Sequence, residues 1–432
     1  MNDNSIDPGI RTRLSSPRIV FSLLFLLYMF DYIDRLVIVS LFPFLKQEWG
    51  ISDTQCGLLV SAVYWSILIF TLPVSVLIDR WSRKKSIGLM ALLWSAATLA
   101  CAFTQNFTQL FTARTAIGLG EAGYAPGGTA LIAAMFPKAM RARVLGVWNA
   151  SIPLGSAMGI ILGGIIAEHF GWRHAFGIVA LPGVIVAVLF FFVRDYRTIA
   201  LVKPGGSPGH ASTRMGWNDI AGHFLKNRTL AFNNLAFAAN TFVTTALMTW
   251  LPSYFQRMED LSMSRAATKG GVVMMLAIVG APLGGYLTDR WMKRRQNARL
   301  LFPAISSAAT AVILLVAFGW SAGRIQYALL MGAGISAVAF VPAAVAVTQD
   351  VVHPGLRAVS LSLCVIVQHV LGSALGPPVI GALSDRFGLA TAMAFLPLAA
   401  LLAGILFFIG SFFHATDSQR VEEIQSLFSS TS

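Results

Sequence analysis

The sequence predicts an all-α integral membrane protein of twelve transmembrane helices, arranged as two six-helix bundles with pseudo-two-fold symmetry. Three observations lead there. Of the 432 residues, 56% are hydrophobic and only 12% charged, about half the charged share of a soluble domain. Apolar stretches long enough to cross ~30 Å of hydrocarbon follow one another along the whole chain. Two patterns of the first half return in the second at fixed offsets.

The first six stretches run approximately over 19–45, 55–78, 86–103, 108–135, 143–168 and 172–193, and the next six over 229–255, 264–287, 299–318, 325–348, 357–384 and 388–413. An even number of crossings puts both termini on one side. The N-terminus, the loops after even-numbered spans and the C-terminus hold 23 of the 32 Lys and Arg residues, the other loops 7 and the spans themselves 2. The positive-inside rule therefore expects both termini and the 194–228 connection in the cytoplasm, in a multi-pass protein of the plasma (inner) membrane. Topology, not a nucleic-acid partner, explains the net charge of +13. Residues 203–209, Lys-Pro-Gly-Gly-Ser-Pro-Gly, have the composition of a flexible linker. The expected division is an N-terminal bundle over 1–200, a cytoplasmic linker over 201–225, a C-terminal bundle over 226–416 and a tail over 417–432. Cys56, Cys101 and Cys364 lie in or beside apolar runs and read as packing residues.

The loop after the second stretch contains Leu77-Ile-Asp79-Arg80-Trp81-Ser-Arg83-Lys84-Lys85, and the same pattern returns 210 residues later as Leu287-Thr-Asp289-Arg290-Trp291-Met-Lys293-Arg294-Arg295. Gly155, Gly159, Gly164 and Glu168 match Gly372, Gly376, Gly381 and Asp385, each 217 residues on. Such internal repeats are the usual build of secondary transporters, in which one bundle rocks against the other around a midplane site. The two loops resemble the G-x-L-a-D-R-x-G-R-[RK] signature of the major facilitator superfamily, whose fold the resemblance implies. Asp79, Arg80, Arg83, Asp289, Arg290 and Arg294 are then candidates for a conformational latch, with the aspartate capping a helix start. The basic residues also admit a plainer role, enforcement of topology. Gly155, Gly159 and Gly163 share one helix face and permit a close crossing. With Gly146 and Gly164 they resemble a fifth-span motif of proton-exchanging exporters in the superfamily, from which Ile160 departs.

Ionisable residues inside two apolar stretches are the strongest functional signal: Asp31, Asp34 and Arg35 in the first, Arg114 and Glu121 in the fourth. Each costs several kcal/mol in hydrocarbon unless it is paired or faces water. Arg35 and Glu121 lie roughly 15 and 20 Å from the same face at ~1.5 Å per residue, so the two helices can bring them together. The residues admit coupling of proton movement to bundle rearrangement, or a buried ion network that only fixes packing. Asp31-Tyr-Ile-Asp34-Arg35, followed by Ile51-Ser-Asp53-Thr-Gln55-Cys-Gly57-Leu58-Leu59 and Arg114-x3-Gly118-x-Gly120-Glu121-Ala122-x-Tyr124, resembles the start of Spinster-type transporters. The resemblance implies proton-linked roles for Asp34, Arg35 and Glu121, accompanied by Arg114, and an amphipathic lipid such as a lysophospholipid or sphingosine phosphate as substrate. Asp31 stands where that family commonly has asparagine. In the second half, Asn233, Asn240, Thr244, Gln368 and His369 form a candidate uncharged cavity wall, or else interhelical hydrogen bonds.

Gly118-x-Gly120-x-x-Gly123 fits the dinucleotide fingerprint by letter but sits in an apolar helix after no strand. No Gly-Lys dipeptide occurs, so the phosphate-cradling loop of ATP-driven pumps is missing. The expectation is a monomeric, gradient-driven carrier, not an enzyme, with no cofactor and no metal. Its partners are protons, membrane lipids and a small amphipathic or lipid substrate. A proton-linked importer of small organic anions, drawn in by Arg35 and Arg114, is the alternative.

Overall fold

The computed structural model describes residues 16–80, 83–193, 224, 227–295, 297–352 and 356–429. The described residues fold as helices in the order α1 (Pro17–Leu36), α2 (Phe42–Trp49), α3 (Asp53–Arg80), α4 (Arg83–Cys101), α5 (Phe107–Glu121), α6 (Tyr124–Met135), α7 (Lys138–Asn149), α8 (Ser151–Phe170) and α9 (Trp172–Phe190). They continue as α10 (Arg228–Met258), α11 (Met263–Met275), α12 (Ala277–Met292), α13 (Ala298–Gly319), α14 (Gly323–Ser336), α15 (Val341–Asp350), α16 (Arg357–Val367), α17 (Gly376–Phe387), α18 (Leu389–Met393) and α19 (Leu396–Ser429). A 3₁₀ turn, Val37–Leu41, joins α1 to α2, and a π-helical segment, Gln368–Ser373, precedes α17.

Among the described residues, eight continuous helical stretches are long and apolar enough to cross a bilayer. The other four expected segments are helical but depart from that simple pattern. The 17–49 stretch carries Asp31, Asp34 and Arg35 and breaks at Val37, the α5–α6 pair breaks at Ala122 and Gly123, α4 is short, and α10 carries Asn233, Asn234 and Asn240. The linker expected over 201–225 lies outside the described residues, save Phe224. Helix α19 runs on past residue 416, and Asp417 accepts a hydrogen bond from the Thr229 amide at the start of α10. A carboxylate there satisfies one of the free amides of a helix start.

Glycine sets where the helices cross. An added Cβ on Gly159 would meet the Ile33 carbonyl of α1 at 2.7 Å, and one on Gly163 would meet the Val37 carbonyl at 2.8 Å. In the second half, a Cβ on Gly372 would meet the Ala238 carbonyl of α10 at 2.8 Å, and one on Gly376 would meet that of Phe242 at 2.9 Å. The repeated glycines thus seat equivalent helices on equivalent partners, with backbones too close for any side chain between them. The next glycine of each set crosses to the other half. Gly164 packs on Met263 and Ala267 of α11, and Gly381 on Asp53 and Thr54 of α3.

Gly118 packs against Val63 and Ser66 of α3, and Gly120 against Trp94 of α4. The glycines that mimic a dinucleotide fingerprint therefore wedge α5 between two helices and fix the depth of Arg114 and Glu121.

Candidate functional site

The helix breaks coincide with the site. Arg35 is the penultimate residue of α1, just before the 3₁₀ turn, Glu121 closes α5, and Gln368 and His369 open the π segment. Helix ends leave carbonyls without intrahelical partners, and in a membrane these must be satisfied from within the protein. Arg114 serves the end of α1, its Nη1 donating to the Asp34 carbonyl (3.0 Å) and Nη2 to that of Arg35 (2.8 Å), while its Nε donates to the Leu59 carbonyl within α3 (3.1 Å). A planar fork of donors suits three carbonyls on two helices. Arg114 makes no ion pair among the described residues and acts as a clamp joining α5 to α1 and α3.

Arg35 alone carries the ion pairing. Its Nη2 lies 2.9 Å from Asp31 Oδ2, one helical turn away, and 2.8 Å from Glu121 Oε2 on α5. Its guanidinium also lies over the ring of Tyr32, 4.5 Å from the centroid, and near that of Tyr64 at 5.5 Å. Tyr64 in turn stacks on His369 at 5.9 Å, so a residue from the second half reaches the cluster through an aromatic bridge. All five charged residues are buried. Asp34 lies apart from the pairing. Neither of its carboxylate oxygens accepts a hydrogen bond among the described residues, and one lies beside Gly183 and Ser95.

The expected cavity wall is largely packing. Asn233 donates to the Ala344 carbonyl of α15 (3.2 Å) and Asn240 to Ser307 Oγ of α13 (2.8 Å), both inside the second half. Thr244 is half-buried and donates to the Thr241 carbonyl of its own helix, and Gln368 donates to Cys364 Sγ. Of the five, His369 alone contacts the charged cluster.

The expected latch fares similarly. Asp289, Arg290 and Arg294 are exposed and form no ion pair among the described residues. Asp289 sits in the last turn of α12, so it cannot cap the start of that helix. The side chains of Asp79, Arg80 and Arg83 lie outside the described residues.

The contacts that join the halves lie at the opposite end of α3. Asp385 of α17 accepts from the amides of Asp53 (2.8 Å) and Thr54 (2.9 Å) and from Thr54 Oγ1 (2.6 Å), capping α3. Glu168 of α8 accepts from the Ser264 amide (2.6 Å) at the start of α11. Asp385 lies 217 residues after Glu168, and Ser264 lies 210 after Thr54, so the two caps reproduce the registers of the sequence repeat. Asp53 itself is bound bidentately by Arg257 (2.7 Å to each oxygen), by Lys46 (2.6 Å) and by the Ser384 hydroxyl (2.5 Å). Sequence reasoning placed Glu168 and Asp385 in the repeat without giving them this role; a carboxylate ending each repeated glycine helix was the signal.

A family model described as the Major Facilitator Superfamily matches residues 24–377. The sphingosine-1-phosphate transporter SPNS2 of Xenopus tropicalis is 27% identical over 431 residues, covering 91% of this chain and 82% of that one. The hexuronate transporter of Bacillus subtilis is 29% identical over 353 residues, covering 78% and 80%. Among solved structures, a bacterial homologue of the human lysosomal transporter Spinster, inward-facing and unoccupied, superposes with a TM-score of 0.81 at 22% identity, covering 95% of this chain and 99% of that one.

Proposed function

Because the chain belongs to the major facilitator superfamily, we propose that it is a Spinster-like, proton-coupled secondary transporter of an amphipathic organic molecule, lysolipid-like or sphingolipid-like, working by alternating access. The observation that carries this reading is Arg35, shared between Asp31 on its own helix and Glu121 on α5. A shift of the Arg35 guanidinium away from Glu121 and onto Asp31 strips Glu121 of its counter-ion while Arg114 keeps α5 on α1. A carboxylate that loses its counter-ion away from water takes up a proton, and one that regains it gives the proton back. The SPNS2 relatives supply the substrate class.

The fold in this reading has twelve spans in two six-helix bundles. The paired glycine crossings and the paired carboxylate caps support the pseudo-two-fold relation. The distribution of Lys and Arg supports a plasma-membrane orientation with cytoplasmic termini. The caps then close the extracellular face, leaving the site facing inward. The charged cluster is complete within one chain, which supports a monomer.

Purified protein in liposomes tests the coupling. An inward or outward pH gradient is expected to drive amphiphile movement in the wild type and to lose its effect in Glu121→Gln. Equal gradient-driven rates in both proteins would refute it. The second reading, import of a small organic anion, draws on the hexuronate transporter relative. Saturable uptake of a hexuronate without amphiphile movement would decide for it.

A further inference from the structure

The charge balance and donor inventory of the cluster bear on what it binds. Asp31 and Glu121 together face a single guanidinium, and Asp34 adds a third carboxylate to the same region. Arg114 supplies the second positive charge but commits Nε, Nη1 and Nη2 to backbone carbonyls. With every group ionised, three carboxylates stand against two guanidiniums.

The unpartnered atoms show the same bias. Buried Asp31 Oδ1, Glu121 Oε1 and both oxygens of Asp34 accept no hydrogen bond among the described residues, against one buried donor atom of the guanidiniums, Arg35 Nε, without an acceptor. Buried acceptors without donors are costly, and a site holding several is short of hydrogen-bond donors and of positive charge. Around them stand aromatic rings. Tyr28 stacks on Trp148 at 4.3 Å and meets Tyr32 edge-on at 5.4 Å, while Tyr64 packs on His369. Tyr32 and His369 keep partial exposure, so this aromatic side is reachable while the carboxylates lie beneath it. Aromatic faces over carboxylates recognise ammonium groups and repel phosphate or carboxylate headgroups.

The geometry points to a substrate whose headgroup is a protonated amine with no compensating anion, bound by Asp31 and Glu121 beside the Tyr32 and Tyr64 rings over which the Arg35 cation already lies. This rests on the amphiphile reading above and sharpens it, since a phosphate-headed lipid would meet surplus negative charge and only the edge of one occupied arginine. Asp31 is decisive: with a neutral side chain there, the Arg35–Glu121 pair would be balanced.

The test uses the full-length protein in phosphatidylcholine nanodiscs, with dodecylamine, dodecyl phosphate and dodecylglycerol as probes that share one chain. Thermal stabilisation at graded probe concentrations gives an apparent affinity for each. Dodecylamine is expected to bind best to the wild type. Asp31→Asn should weaken it about tenfold, the scale of one charge-assisted contact, and Asp31→Glu should retain it. Dodecyl phosphate or dodecylglycerol binding as tightly as the amine would overturn the headgroup inference and leave the amphiphile reading standing. No stabilisation by any of the three would overturn both. The wild-type comparison needs no variant, so it decides the headgroup even where Asp31→Asn fails to fold.

Discussion

Asp385→Ala removes the carboxylate that caps α3 from the other half. It deletes three hydrogen bonds, from the amides of Asp53 and Thr54 and from Thr54 Oγ1. Loss of a helix cap costs ~1–2 kcal/mol, and loss of a negative charge at a helix start adds up to about 1 kcal/mol where the site is exposed to water. About 2 kcal/mol of this falls on the closed state alone, because the cap spans the halves and is broken when they part. That is about a thirtyfold change in the ratio of closed to open forms, enough to raise an open state held by ~1% of molecules to roughly a quarter. Spin labels at Phe103→Cys and Trp320→Cys report the gap. Both positions are about three-quarters exposed, in loops at the capped end, and the three native cysteines are buried. Asp385→Ala should add a population at longer distance, and Glu168→Ala, which removes the equivalent cap on α11, should do the same. Distance distributions identical to the parent in both variants would refute the assignment of these caps as the closure.

Two further predictions follow from the packing. Arg114→Lys keeps the charge but replaces a fork serving three carbonyls with a single ammonium, leaving about two buried carbonyls unsatisfied at ~1–3 kcal/mol each. Thermal unfolding of the purified variant should occur well below that of the wild type, whereas an unchanged midpoint would contradict the clamp. Gly159→Val drives side-chain atoms into the α1 backbone, while a Cβ on Gly146 meets nothing within 4 Å. Expression as a monodisperse species should be lost for the first and kept for Gly146→Val, read by size-exclusion chromatography.

Helices were legible because hydrophobic runs of the right length leave few alternatives in a bilayer. The repeat was legible because identical glycines and acids recur in register, and the structure gives both copies equivalent partners. The pairing of Arg35 with Glu121 followed from depth along two helices. The role of Arg114 did not, because its partners are backbone carbonyls, those of Asp34 and Arg35 at the end of α1 and that of Leu59 within α3, and no side-chain pattern announces them. Asn233 and Asn240 left two readings open for a related reason. A polar face on a helix shows direction but not whether a cavity or another helix lies there, and here α15 and α13 do. The Asp53–Asp385 contact joins residues 332 apart, a proximity set only by how the halves meet.

Both caps address peptide N–H groups, and at Ser264 the amide is the one donor to Glu168 among the described residues. Recognition of this kind is blind to the side chain on the receiving helix. Any residue with an amide N–H, which excludes only proline, meets the requirement at position 264, whereas position 168 must supply an acceptor. The α11 seam thus asks little of the side chain it receives, whereas the α3 seam also engages the Thr54 hydroxyl. The two halves are then able to diverge in sequence, and in what they carry, without losing their grip on each other.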